Sequence, residues 1–295
     1  MALVGFLLFY ILVIPLSYLP LRVLYLLSDF LYLIIYKVFK YRVKVVRENL
    51  KNSFPKKSEE ELRIIERKYY QNLCDWVIET IKLFSISEAE LKRRIPFEDI
   101  DLYNSLLQQN RHIIVAAGHF NNFEWLAQGF TVVGDFQTIG LFTPLSNKYF
   151  NRFMLKNRSR FGGIMIPAKE VGAYLSQPLP SISAIGFVTD QSPRKESNIY
   201  WTEFLSQETA CFTGVERYAM KLNAPVVFVF PFKIKRGQYV LRMRMISDEP
   251  HLAHPFAITE STTRFLEDLI HQQPEAWMWS HKRWKLKRPP LPQFN

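Results

Sequence analysis

The sequence predicts an α/β fold, a layered mixed sheet flanked by helices, with an N-terminal membrane-associated helical segment. Short apolar runs alternate with helical patterns in the C-terminal two thirds, residues 2–36 are almost wholly apolar, and no repeat or low-complexity linker divides the 295-residue chain. We therefore expect residues 1–40 to form membrane-anchoring or interfacial helices. Residues 41–295 would form one domain, helical over 41–96 and with an α/β core over 97–285.

The N-terminal segment is apolar enough to enter a bilayer. Its first part, residues 2–19, is uncharged and has about the length of one span. Pro20 interrupts it, and we expect a further helix over 21–38, in or near the membrane interface. No basic start or small-residue cleavage site marks a removable signal peptide. The alternative is a helical hairpin buried in the protein core.

Basic residues dominate the charge of the chain, which is +11 overall. A basic cluster directly follows the apolar segment: Lys37, Lys40, Arg42, Lys44 and Arg47. By the positive-inside rule, this flank and the domain after it should face the cytoplasm. Nucleic acid, an anionic lipid surface or an acidic protein could each explain such a charge. Because no nucleic-acid-binding module is recognisable, we favour an anionic membrane surface and acidic or phosphorylated substrates, and no nucleic acid.

The region before the predicted sheet, residues 41–96, is predicted to be helical. The tripeptide Ser53-Phe54-Pro55 ends one helix, and Ser58 followed by Glu59, Glu60 and Glu61 begins another, which continues to about Leu83. The two cysteines, Cys74 and Cys211, are far apart and lack metal-type spacing, so we expect buried small hydrophobes.

Alternating elements follow in the predicted core. Strands are predicted over 112–117, 136–141, 182–189, 225–232 and 238–247. Helices are predicted over 121–133, 147–160, 168–177, 212–223 and 257–273.

The stretch from Gly118 to Glu124 is the strongest chemical signal in the chain. A buried strand ends in Gly118, so His119 should lie on a strand-to-helix turn, with Asn121 as the helix N-cap. A histidine oriented by a carboxylate is the minimal apparatus of general-base catalysis. Glu124 also fits a capping box with Asn121, so a purely structural role is the alternative.

Two further stretches are suited to binding anions or polar groups. Arg158 and Arg160 precede a Gly turn, and arginine captures phosphate or carboxylate well, although a solvated helix end explains them equally. Asp190 and Gln191 end a buried strand, at the edge where open α/β sheets form binding crevices. Turn chemistry before Pro193 is the alternative for this pair.

Thr213 and Gly214 begin a predicted helix, which Thr213 could cap so that backbone donors face an anion. The segment 277–285, WMWSHKRWK, is aromatic and basic. It is either a packed C-terminal segment with exposed cations or a contact surface for a membrane or an acidic partner.

Taken together, these pieces resemble the bacterial late lipid A acyltransferases, the lauroyl and myristoyl transferases, within the lysophospholipid acyltransferase-like group. The matching pieces are the apolar N-terminus, Arg47-Glu48-Asn49-Leu50, Phe54-Pro55, His119 to Glu124, Arg158 to Gly163, Asp190-Gln191-Ser192-Pro193, Thr213-Gly214 and Trp279 to Lys285. They cover nearly the whole chain. Glu124 stands where relatives in the wider group often have Asp.

The resemblance implies transfer of an acyl chain to a glycolipid hydroxyl. The donor would be an acyl carrier protein thioester or acyl-CoA, with no other cofactor and no metal. It implies His119 as the general base and Glu124 as the group that orients it. Arg158 and Arg160 would bind the acceptor's phosphate or the donor's phosphopantetheine, with Asp190, Gln191, Thr213 and Gly214 as further substrate-binding residues. The enzyme would be a monomer on the inner membrane, facing the cytoplasm.

Three alternatives remain open from the sequence. The same chemistry could act on a lysophospholipid or a mannosylated inositol lipid. A metal-dependent lipid hydrolase could use His112, His119 and Glu124, although the His-Glu-x-x-His motif is absent. A non-catalytic membrane tether would bind an acidic protein through its basic face, and its function would survive the loss of His119.

Overall fold

A computed structural model describes residues 2–179, 181–193 and 198–289 of the chain. Eight strands lie in these residues. They are β1 (Ile113–Ala117), β2 (Gln137–Phe142), β3 (Ile164–Pro167), β4 (Ser183–Val188), β5 (Ile199–Phe204), β6 (Gln207–Phe212), β7 (Val226–Lys235) and β8 (Gln238–Ser247). Six form one sheet in the order β3-β2-β4-β1-β7-β8, and β5 and β6 form a separate two-stranded hairpin. The predicted mixed α/β sheet is confirmed.

The strands of the large sheet are parallel except for β8, which pairs antiparallel with β7. In the centre, β1 lies beside β4, with Ala117 opposite Val188. The chain leaves β1 toward β2 on one side and leaves β4 toward β7 on the other. This reversal is a topological switch point, and it opens a crevice at the carboxyl ends of β1 and β4.

Eleven α-helices occur in the described residues. They are α1 (Ala2–Ser17), α2 (Leu21–Tyr32), α3 (Val43–Ser53), α4 (Glu59–Leu83), α5 (Glu88–Arg94), α6 (Ile100–Gln108), α7 (Phe123–Val133), α8 (Lys148–Arg158), α9 (Val171–Tyr174), α10 (Gly214–Leu222) and α11 (Ala257–Gln272). A π-helical turn, Leu33–Val38, extends α2. The predicted start of α4 is confirmed, since Ser58 and Glu61 form a capping box.

Hydrophobic cores cover both faces of the sheet. Alternate residues of β1 point to opposite faces, so Ile114 and Ala116 join one core while Ile113, Val115 and Ala117 join the other. All five are buried, as expected for a central parallel strand. Both cysteines are buried and free, as predicted.

Several predicted elements need correction. The predicted helix over 168–177 is a 3₁₀ turn, Ala168–Glu170, followed by the single-turn helix α9. The strands β3, β5 and β6 and the helix α6 were not predicted. The hairpin was hidden because its two-residue loop, Leu205-Ser206, has φ of 52° and 58° without the Asn or Gly that usually marks such a turn.

The N-terminal segment is a helical hairpin packed along α4. Lys82 on α4 donates to the carbonyl oxygens of Ser17 and Leu19 at the end of α1, at 3.1 and 3.2 Å. The predicted span over 2–19 is not confirmed, since α1 has 16 residues. In the described part of the chain, no helix has both the length and the apolar character needed to cross a membrane.

Candidate active site

The register of β1 and β4 brings His119 and Asp190 together. The last residues of the two strands, Ala117 and Val188, are paired across the sheet. His119 comes two residues after Ala117, and Asp190 comes two residues after Val188. The Nδ1 of His119 lies 2.7 Å from Oδ1 of Asp190, and the backbone N–H of His119 donates to Oδ2 at 2.8 Å. The carboxylate therefore fixes both the ring and the backbone of His119.

Asp190 is a buried carboxylate with a full set of donors. Its Oδ2 also accepts from Nε1 of the buried Trp277 at 2.7 Å. Burial by itself would raise the pKa of Asp190, but the charge of His119 and these hydrogen bonds outweigh it and lower the pKa to about 2. Asp190 is therefore ionised at neutral pH.

The imidazole of His119 is held in one tautomer. Because ionised Asp190 can only accept, Nδ1 carries the proton and Nε2 keeps its lone pair. The side-chain amide nitrogen of Gln191 lies 3.1 Å from Nε2. The ring of Phe123 packs edge-on against the imidazole, with 4.7 Å between the two ring centroids. Burial lowers the pKa of His119, but the charge and hydrogen bond of Asp190, together with the charge of Glu124, raise it overall. Nε2 is thus a strengthened base at the mouth of the crevice.

The predicted contact between Glu124 and His119 is corrected by the structure. Glu124 instead accepts from Arg158, with Nη2 donating to Oε1 at 2.5 Å and Nε donating to Oε2 at 3.2 Å. This is the bidentate geometry that guanidinium and carboxylate prefer. The sequence alone could not show that the last turn of α8 would pack against the first turn of α7. Glu124 still lies near enough for its charge to act on His119.

The helix cap also differs from the predicted one. Asn122, one residue after the predicted Asn121, caps α7 by accepting from the backbone N–H of Trp125 at 2.9 Å. Asn121 adopts a left-handed φ of 47°, and its side chain donates to the carbonyl of Pro231 and to Gln273. Glu124 is therefore one position too early for a capping box with the true N-cap.

The remaining predicted binding residues lie apart from this cluster. Both guanidinium hydrogen bonds of Arg160 go to backbone carbonyls, of Phe84 and Ile86, after the end of α4. Thr213 precedes α10 as predicted, but its hydroxyl donates to the carbonyl of Asn198 and does not cap the helix. The Cα of Gly214 faces the ring of Phe187 near the end of β4.

A small cavity of about 30 Å³ lies beside His119. Asn121 and Lys233 supply polar groups to its wall, and Trp76 also lines it. This volume admits about one water molecule.

The histidines do not assemble a metal site in the described residues, where no three His, Cys, Asp or Glu side chains could hold an ion. His112 has a different partner, since its Nδ1 accepts from the backbone N–H of Ser183 at 3.1 Å.

The cluster at the ends of β1 and β4 offers a base, His119, its anionic partner, Asp190, and a fixed cation, Arg158.

The role of Asp190 differs from the predicted one, and Trp277 was not predicted to belong to the site. Asp190 was expected to bind substrate, yet it occupies the position beside His119 that Glu124 was expected to fill. Trp277 donates a hydrogen bond to Asp190. In the sequence, only the aromatic and basic character of its segment is apparent. The isolated β-bridge between Phe120 and Trp277 brings that segment to the turn, and no local pattern announces such a contact.

The chain is similar to known proteins over nearly its whole length. Residues 2–286 match the family model described as bacterial lipid A biosynthesis acyltransferase. The chain is also 24% identical over 278 residues to the lipid A biosynthesis lauroyltransferase of Escherichia coli (strain K12), covering 93% of this chain and 89% of that protein.

Proposed function

The chain belongs to the bacterial lipid A biosynthesis acyltransferase family, and from this premise we propose the reaction in detail. It moves a fatty acyl chain from an acyl carrier protein thioester to a hydroxyl of a lipid A precursor or a related glycolipid. The observation that carries the proposal is the His119–Asp190 pair at the carboxyl ends of adjacent parallel strands. It leaves Nε2 of His119 unprotonated and directed away from Asp190.

The acceptor hydroxyl takes the place of the Gln191 amide at Nε2. His119 removes its proton as the oxygen attacks the thioester carbonyl carbon, which forms the new C–O bond. The tetrahedral intermediate then collapses, the C–S bond breaks, and the proton on Nε2 passes to the departing thiolate. Asp190 stabilises the imidazolium that exists between these two proton transfers. The chemistry needs no acyl-enzyme, and the chain has no Gly-x-Ser-x-Gly elbow.

Arg158 is the cation that the site offers to an anionic group of either substrate. Glu124 holds it in place through two hydrogen bonds, and 31% of the Arg158 side chain remains exposed. Glu124 therefore acts on the reaction mainly by holding Arg158 in place. Its effect on His119 is limited to the influence of its charge. Gln191 and the turn at Thr213 and Gly214 are proposed to contact the acceptor, because they follow the end of β4 or lie beside it.

The enzyme is proposed to work as a monomer on the cytoplasmic face of the inner membrane. Support comes from the apolar side chains that α1, α2 and the following turn expose, such as Ile11, Leu26 and Phe39. Exposed Lys37, Lys40 and Lys44 accompany them and suit an anionic lipid surface. The same basic balance suits an acidic acyl carrier protein.

The test uses purified protein in detergent, wild type and His119→Ala. Each is incubated with acyl carrier protein thioesters of mixed chain length and a tetra-acylated or penta-acylated lipid A precursor, and the lipid is analysed by mass spectrometry. We expect one added acyl chain with wild type and a rate at least about 10²-fold lower with His119→Ala. No added mass from either the carrier protein thioester or acyl-CoA would overturn the lipid A assignment. Product with lysophospholipid acceptors only would redirect it, and equal rates for the two proteins would remove His119 as the base.

A further inference from the structure

A buried acid network lies behind the active-site turn. Glu79 on α4 is fully buried, yet no role in the reaction described above requires it. Its carboxylate accepts three hydrogen bonds, from the hydroxyl of Tyr25 at 2.7 Å, the amide of Asn122 at 2.7 Å and the hydroxyl of Tyr239 at 2.8 Å. The donors come from α2, the N-cap of α7 and β8 respectively.

Two of the contacts of Glu79 reach the turn that carries His119. The NH2 group of Asn122 donates to Glu79, and its side-chain oxygen accepts from the backbone N–H of Trp125. The indole N–H of Trp125 donates to the backbone carbonyl oxygen of Glu79 at 2.9 Å. Hydrogen bonds at Asn122 and Trp125 therefore attach the first turn of α7 to α4. Phe123, which packs against the His119 ring, and Glu124 lie between these two residues in the chain.

We propose that Glu79 is a positioning residue for acyl transfer, which fixes the His119 turn through Asn122 and ties it to the N-terminal hairpin through Tyr25. Glu79 fixes the orientation of Asn122, because its Oε2 accepts from the NH2 end of the amide and from the hydroxyl of Tyr239. The oxygen end is then left for the cap of α7. A burial site of this kind tolerates few rearrangements, since every polar group in it already has a partner.

The same geometry supplies a reciprocal test. In Glu79→Gln the amide oxygen takes the Oε2 position, where Asn122 and Tyr239 both donate. The new NH2 group then faces the hydroxyl of Tyr25, which can accept, so Asn122 keeps its orientation and the cap is kept. In Asn122→Asp two carboxylates meet where one hydrogen bond stood, at 2.7 Å. In the double variant, the new amide at position 79 donates to the new carboxylate at position 122. The other oxygen of that carboxylate still caps Trp125, since Asp is as good an N-cap as Asn.

Acyl transfer by the three variants is compared with wild type under identical conditions. We expect kcat to fall by about 10-fold or more in Asn122→Asp, with KM for the thioester little changed, because small misplacements of catalytic groups lower turnover. Glu79→Gln by itself should stay close to the wild-type kcat. The double variant should recover most of kcat. Asp75→Asn is the matched control, since Asp75 is another buried acid on α4 that accepts from α2, through Ser28 at 2.7 Å. It should keep the wild-type kcat even where it lowers the melting temperature.

A second readout does not depend on activity. Amide hydrogen exchange over residues 118–126 should rise in Asn122→Asp and return to the wild-type level in the double variant. A double variant as slow as Asn122→Asp, or an equal fall of kcat in Asp75→Asn, would overturn the proposal. The inference rests on the proposed function only for its kinetic arm. If wild type transferred no acyl chain, the proposed donor and acceptor would fail while the exchange experiment still tested Glu79.

Discussion

Replacing Asp190 with Asn should do more than remove a charge. In wild type, Oδ2 of Asp190 accepts from two N–H groups, the backbone of His119 and the indole of Trp277, while Oδ1 faces Nδ1 of His119. An asparagine has one oxygen to offer, and two donors converge on the Oδ2 position. The amide oxygen should therefore take that position, which turns the NH2 group toward Nδ1. His119 must then accept at Nδ1 and carry its proton on Nε2, where it cannot act as a base.

The size of this effect follows from the two possible amide orientations. The opposite orientation would leave two buried N–H groups facing an NH2 group, and each unsatisfied buried donor costs about 1–3 kcal/mol. Two such donors give a preference of about 2–6 kcal/mol. At about 1.36 kcal/mol per factor of ten, the population of the active tautomer falls by roughly 30-fold at the lower bound and 10⁴-fold at the upper. The imidazolium also loses its anionic partner. We expect kcat to fall by about 10³- to 10⁴-fold, as in a triad whose Asp is replaced by Asn.

The assay combines kinetics with histidine NMR. In wild type, kcat/KM should fall as the pH drops through the pKa of His119, which Asp190 and Glu124 raise above the ordinary histidine value despite burial. In Asp190→Asn, ¹⁵N-histidine spectra should show the other tautomer and a pKa below the wild-type value, with His119→Gln used to assign the signal. Activity of Asp190→Asn within about threefold of wild type would contradict this role of Asp190. So would a His119 that remains protonated at Nδ1 in the variant.

Three further substitutions test other parts of the description. Glu124→Gln removes a charge-assisted pair worth about 1.5–3 kcal/mol, so kcat should fall by about tenfold or more while the pKa of His119, set more by Asp190, falls only slightly. Lys82→Met removes the buried ammonium that binds the end of α1 and should lower the free energy of unfolding by roughly 1.5–3 kcal/mol in urea titrations. Phe39→Glu, at a side chain 75% exposed, should weaken cosedimentation with anionic vesicles by about tenfold.

Matched variants keep these tests specific. Lys68→Met changes an exposed lysine on the same helix as Lys82, and it should leave unfolding unchanged. Leu252→Glu places the same charge at another exposed side chain, 72% exposed, and should leave vesicle binding unchanged. Full activity in Glu124→Gln would show that the Glu124–Arg158 pair has no part in turnover. Equal losses in either matched pair would contradict the assigned contacts.

Much of the fold could be predicted because it depends on local patterns. The buried run at 113–117 and the helix start at Ser58 are encoded within a few residues, by apolar continuity and by a capping box. The motif of His119, Asp190 and Arg158 was likewise visible as residue types at strand and helix ends. Hidden elements such as β5 and β6 lacked local signals, since a buried Leu205 occupies a turn position that favours Asn or Gly.

The sequence alone determined the α/β class, most of the strands and helices, and the set of polar residues from which a site could be built. Tertiary structure decided which of those residues are partners. Asp190 reaches His119 because β1 and β4 are neighbours in register, although 71 residues separate them in the chain. Glu124, only five residues from His119, turns to Arg158 because α8 ends beside it. Sequence distance limits which groups can meet on one turn, whereas strand order and helix packing determine which charges are desolvated together.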